Sequence, residues 1–97
     1  MLNIELKAVK EVWIFTTPTC APCKQLKLQL STVPGIASHL RYMDIETDKN
    51  AIEQARLFAV SKVPTVILMR NGYPYDTVMG NVCNIAKTIQ SFLCEGE

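Results

Sequence analysis

Four cysteines, Cys20, Cys23, Cys83 and Cys94, are the side chains of this sequence best suited to covalent chemistry, and only the first two stand close together. Cys20-Ala21-Pro22-Cys23 comes after the β-branched and aromatic run Val12-Trp13-Ile14-Phe15 and the loop Thr16-Thr17-Pro18-Thr19, and it opens a stretch of helical periodicity. At a helix N-terminus the unpaired backbone N–H groups and the macrodipole favour negative charge, so a thiolate at Cys20 is stabilised. Cys20 is therefore the natural nucleophile toward a disulfide. Cys23, three residues on and nearly one turn away, lies on the same side and is the natural resolving thiol, able to attack a mixed disulfide formed at Cys20. Pro22 sits in the first turn, where its missing N–H costs nothing and its fixed φ suits the helix. A zinc half-site or an inert structural disulfide uses the same four letters. Zinc needs further ligands, however, and Cys83, Cys94 and His39 offer no second closely spaced pair. Redox chemistry with neither a metal nor a bound cofactor is the reading this placement favours.

The elements that must hold the pair are readable from periodicity. Val12 to Phe15 suits a strand covered on both faces, as do Leu40 to Ile45 and Thr65 to Met69. Between the first two, Cys23, Leu26, Leu30 and Val33 recur at helical spacing, closed by Pro34-Gly35. Between the second and third, Ala51, Ile52, Ala55, Phe58 and Ala59 do the same, with Asp48 and Asn50 as capping candidates. Asn71-Gly72 signals a hairpin into a returning strand, Asp76 to Met79. From Val82, the residues Ile85, Ala86, Ile89, Phe92 and Leu93 share one side of a final helix. The order is β-α-β-α-β-β-α, an α/β fold around a mixed four-stranded sheet. Leu2, Ile4 and Leu6 alternate as an extra N-terminal strand would, although the five residues between Leu6 and Val12 are too few for a parallel crossover through a full helix.

At 97 residues, 48% hydrophobic and 20% charged, the chain is expected to form one domain over residues 1–97 rather than a disordered or fibrous chain. No apolar run approaches the roughly 20 residues of a membrane span. A net charge of +1 with both signs scattered recommends neither nucleic acid nor an anionic membrane as a partner. The first residues, Met1 to Lys7, lack the pattern of a secretion signal, so a cytoplasmic location is expected. The chain is also expected to be a monomer.

Phe15 through Cys23-Lys24, then Val63-Pro64-Thr65, then Asn71-Gly72 and Gly80, is similar to the thioredoxin pattern: an active-site strand, Cys-x-Pro-Cys-Lys, a cis-proline before the third core strand, a hairpin and a late glycine. The resemblance covers about residues 11 to 94. It implies a protein disulfide reductase that cycles Cys20 and Cys23 between dithiol and disulfide, acts on disulfide-containing proteins and is recharged by thioredoxin reductase. It also implies a cis Val63-Pro64 bond beside the cysteines, with the Val63 backbone and Gly80 meeting the substrate, and with Pro22 and Lys24 as active-site neighbours. A plain strand-start proline and a plain turn glycine are the alternatives for Pro64 and Gly80, and a solvated helix-face lysine is the alternative for Lys24.

The chain departs from that pattern at three positions. Ile14 stands where the family usually has a buried Asp able to assist deprotonation of the resolving thiol, Thr19 replaces the usual Trp, and Ala21 the usual Gly. Thr17-Pro18-Thr19-Cys20 is also similar to the approach to a glutaredoxin active site. Gly80-Asn81-Val82-Cys83-Asn84 resembles that family's glutathione-holding Gly-Gly-x-x-Asp, with the second Gly and the Asp replaced by Asn. A glutathione-dependent reductase is thus one alternative function, and a binding module on the same fold with little turnover is another. Cys83 and Cys94, about 16 Å apart along a helix, are too distant for a mutual disulfide and are expected to be partly buried and inert. His39 is expected at the surface and Trp13 in the core.

Overall fold

A computed structural model describes residues 9–95. The elements follow the expected order: β1 (Lys10–Thr16), α1 (Ala21–Ser31), β2 (Leu40–Asp44), α2 (Lys49–Leu57), β3 (Thr65–Arg70), β4 (Tyr73–Val78) and α3 (Val82–Cys94), with a 3-10 turn at Ala37–His39 ahead of β2. The strands lie side by side as β2-β1-β3-β4. β1 runs parallel to β2 and antiparallel to β3, and β3 and β4 form the hairpin. The alternating residues Leu2, Ile4 and Leu6 fall outside the described residues.

The two-residue period of the strands sorts the core into two layers. Val12 and Ile14 of β1 and Val66 and Leu68 of β3 meet Leu26 and Leu30 of α1 and Ile85, Ile89 and Phe92 of α3. On the opposite face, Phe15, Met43, Ile67 and Met69 meet Ala51 and Ala55 of α2, with Trp13 and Phe58 packed against them. Each fully buried side chain of this size contributes roughly 1.5 to 3 kcal/mol relative to exposure. Trp13 is half-buried, edge-on to Phe58 with centroids 6.0 Å apart, and its indole N–H donates to Glu11.

Several boundaries differ from the sequence expectation. β1 begins at Lys10 rather than Val12, and Lys10 is buried. β4 begins at Tyr73, so Tyr73 and Pro74 belong to the strand while Met79 lies beyond it. Pro74 is tolerated because β4 is an edge strand. Asn71 and Gly72, with φ of 55° and 84°, make the tight two-residue turn, and a bulge opposite Leu68 and Met69 follows. Ile52 is exposed, and Ala59 lies past the end of α2 at a φ of 55° rather than on its buried face. Asp48 caps α2 by accepting from Asn50 and Ala51 N–H, whereas Asn50 is inside the helix.

Candidate active site

α1 starts where its sequence says it must. Cys20 is the N-cap, in extended conformation at φ −82° and ψ 109°, and its Sγ accepts the backbone N–H of Cys23 at 3.2 Å. Its own N–H donates to Thr17 O, which closes the loop between β1 and the helix. Pro22 occupies the first turn. Cys20 and Cys23 are joined by a disulfide, their Cα atoms 5.3 Å apart. The two cysteines differ in access, since Cys20 is half-buried while Cys23 is 5% exposed and belongs to the buried face of α1. An accessible sulfur at a helix N-terminus paired with an enclosed one a turn later suits an asymmetric dithiol, in which one thiol meets the outside and the other meets only its partner.

The Val63-Pro64 peptide bond is cis. Since Phe15 pairs with Thr65, Val63 and Pro64 lie at the end of the sheet from which the Thr17 to Cys20 loop leaves β1. β4 ends at the same edge, because Val78 pairs with Val66. Gly80 follows at φ 126°, a conformation that side chains resist, and the space a Cβ would enter beside it is open. Pro22 and Gly80 line one groove of about 520 Å³ together with Gln25, Asn81, Cys83 and Asn84. Asn81 caps α3 by accepting the N–H of Asn84.

Lys24 is exposed and lines a second cavity together with Cys23, Lys27 and Tyr42. Burial pushes the Tyr42 hydroxyl above its ordinary pKa. Ile14, the parallel partner of Tyr42, is 1% exposed and sits among apolar side chains, so no carboxylate reaches Cys23 from that strand position. Two expectations are corrected here. Cys83 and Cys94 are exposed rather than partly buried, since both lie just off the apolar side of α3. His39 is half-buried, and its Nδ1 meets the Lys10 carbonyl at 3.0 Å, a bond in which the ring nitrogen must donate. Tyr42 and Lys27 are neighbours of Cys23 that the sequence did not single out. The i, i+4 spacing of Cys23 and Lys27 was the available signal.

The thioredoxin family model matches residues 3–94. The chain belongs to the thioredoxin family. A thioredoxin of Griffithsia pacifica is 32% identical over 85 residues, covering 81% of this chain and 74% of that protein. A chloroplastic thioredoxin of Arabidopsis thaliana is 28% identical over 98 residues, covering 98% of this chain, which spans about half (49%) of that relative's length. The fold is similar to that of oxidized mitochondrial thioredoxin 3 from Saccharomyces cerevisiae, with a TM-score of 0.66 at 23% identity over 86% of this chain and 78% of the other. Reduced thioredoxin from Schistosoma mansoni gives 0.68 at 24% identity over 86% and 78%. With its Cys20–Cys23 disulfide at the head of α1, this thioredoxin-family chain carries the site of a thiol–disulfide oxidoreductase. Among the described residues, no helix is long and apolar enough to cross a membrane.

Proposed function

We propose that the protein reduces disulfides of other proteins in a two-step cycle, with Cys20 as the attacking thiol and Cys23 as the resolving one. The observation that carries this reading is the N-cap position of Cys20, whose sulfur accepts the Cys23 N–H. The same contact and the helix dipole stabilise a thiolate once the disulfide is opened. The Cys20 thiolate attacks a substrate disulfide, and one substrate sulfur leaves with its electron pair. Cys23 then loses its proton and attacks Cys20 Sγ, releasing the second substrate sulfur and forming the Cys20–Cys23 disulfide. The Val63 backbone beside Pro64 and the open flank of Gly80 would take the extended substrate chain, with Pro22 bordering it and Lys24 adding positive potential. No bound cofactor takes part. A monomer in the cytoplasm, recharged by thioredoxin reductase, is the setting of this cycle.

Glutathione is the competing electron source. Asn84 lacks the negative charge that would hold its ammonium by a charge-assisted hydrogen bond, and the side chain of Asn81 is already occupied in capping α3. Loss of such a charged contact costs about 1.5 to 3 kcal/mol, or ten- to a hundredfold in affinity. The test is reduction of a protein disulfide with NADPH and thioredoxin reductase, run beside NADPH, glutathione and glutathione reductase. The first system should turn over faster, Cys20→Ser should abolish reduction, and Cys23→Ser should accumulate a mixed disulfide with substrate. Faster turnover with glutathione would reverse the donor assignment, trapping by the Cys20 variant instead would reverse the roles of the thiols, and no turnover with either donor would favour a binding module.

A further inference from the structure

Resolution requires a proton to leave Cys23, and the strand position that would ordinarily offer a carboxylate holds the buried Ile14. Cys23, otherwise buried, lines a cavity of about 210 Å³ that is open to solvent. Its ionisable groups besides Cys23 are Lys24 and Lys27 from α1 and Tyr42 from β2, whereas Thr16, Thr17 and Pro18 contribute none. The Asp44 carboxylate of β2 does not line this cavity and is engaged in accepting from Glu46 N–H and from the Thr47 hydroxyl. Lysines thus line the cavity that Cys23 shares, and no carboxylate does. Lys27 stands one turn beyond Cys23 on the same face of α1. Its Nζ lies 5.0 Å from the centroid of the Tyr42 ring, an arrangement that holds an ammonium in place instead of letting it swing into solvent.

We propose that Lys27, held at the cavity by the Tyr42 ring, stabilises the thiolate of Cys23 during the resolving step and so offsets the missing carboxylate. The inference rests on Cys23 being the resolving thiol. The Cys23 thiol gives its proton to cavity water and through it to a solvent base, while the ammonium favours the anion left behind. The thiolate electron pair forms the bond to Cys20 Sγ as the Cys20–substrate bond breaks, and that bond's pair departs with the substrate sulfur. Lys27 acts by charge and gives up no proton, and Tyr42 is a positioning residue whose ring, not its hydroxyl, is required.

Reduced protein carrying Cys83→Ser and Cys94→Ser, which removes the exposed thiols outside the pair, separates the two steps when mixed with an equimolar amount of 4,4′-dithiodipyridine. Each step then releases one chromogenic thiopyridone, the first on attack by Cys20 and the second on resolution by Cys23. The reagent is uncharged near neutral pH, so Lys27 does not steer it. Lys27→Gln should slow the second phase about three- to tenfold near neutral pH and raise its pH midpoint by about half to one unit, the effect of one partly screened charge. The first phase should change less than twofold. Lys27→Arg and Tyr42→Phe should keep the native second phase, and Tyr42→Leu should behave as Lys27→Gln does. An unchanged second-phase rate and midpoint in Lys27→Gln would overturn the proposal, and so would equal slowing of both phases. A second phase that persists in Cys23→Ser would overturn instead the assignment of the resolving thiol on which the proposal rests.

Discussion

Lys10 occupies a core-facing strand position without leaving a buried charge unpaired. Its Nζ donates to the carbonyls of Phe92 at 2.8 Å and Glu95 at 3.3 Å, lies 3.9 Å from the Glu95 carboxylate, and sits 5.3 Å from the centre of the Phe92 ring. These are the end of α3, where carbonyls lack helical partners and a cation is favoured by the dipole. One side chain therefore ties the first strand to the end of the last helix, 82 residues away. Lys10→Met keeps the apolar stem and deletes the donors. It should destabilise the protein by about 1 to 3 kcal/mol, the cost of leaving buried acceptors unmet, visible as a lower urea midpoint at unchanged slope. Disulfide reduction by the folded fraction should stay at its native level, since the change is remote from Cys20.

At the scale of elements, the two ends of α2 are stopped by different means. Asp48 caps the start, and the far end closes with Ala59 N–H on Arg56 O and Val60 N–H on Ala55 O, a Schellman arrangement. That closure needs a left-handed residue, normally glycine, and this chain places Ala59 there at φ 55°. Ala59 has helical spacing from Ala51 and Ala55, yet its backbone has already turned out of the helix. A left-handed alanine costs about 1 to 2 kcal/mol, while glycine adds roughly 0.4 to 1 kcal/mol of unfolded-chain entropy. Ala59→Gly should therefore stabilise the protein by about 0.5 to 1 kcal/mol, read as a raised thermal or urea midpoint. A loss of stability would show that the Ala59 methyl contributes packing that outweighs its backbone strain.

For the molecule as a whole, Ile14 is the position where stability and chemistry meet. It lies in the sheet beneath α1 and α3, 1% exposed among Leu26, Val66 and Ile85. Ile14→Asp restores the carboxyl typical of the resembled pattern but buries it in this layer, so it should cost on the order of 3 kcal/mol even with the acid neutral. Burial raises the carboxyl pKa in the folded state above its unfolded value near 4. The folded variant thus holds its proton more tightly than the unfolded chain. Its stability should be greatest below about pH 4 and decline as the pH rises through the raised folded value, where the native protein shows no matching decline. Urea midpoints of the two proteins between acid and neutral pH test this, and parallel pH profiles would mean that the carboxyl has found a charged partner or reached solvent.

The element order and the placement of the Cys20 and Cys23 pair at the head of α1 were legible in the sequence, because both arise from local rules: hydrophobic period, the turn chemistry of Asn71-Gly72 and the N-cap position. Which sulfur is enclosed followed from the same helical period, since Cys23 continues the Leu26 and Leu30 stripe. Local rules did not reveal that Lys10 is buried, that Pro74 is accepted within a strand, or that Lys27 meets Tyr42 beside Cys23. Each of these depends on what another segment supplies. The carbonyls at the end of α3 make a buried ammonium tolerable, the outer edge of the sheet leaves Pro74 no N–H to provide, and the parallel pairing of β1 with β2 carries Tyr42 to the face that α1 covers. Periodicity determines which side of an element is apolar, but only the packing of one element on another decides which polar groups share a cavity.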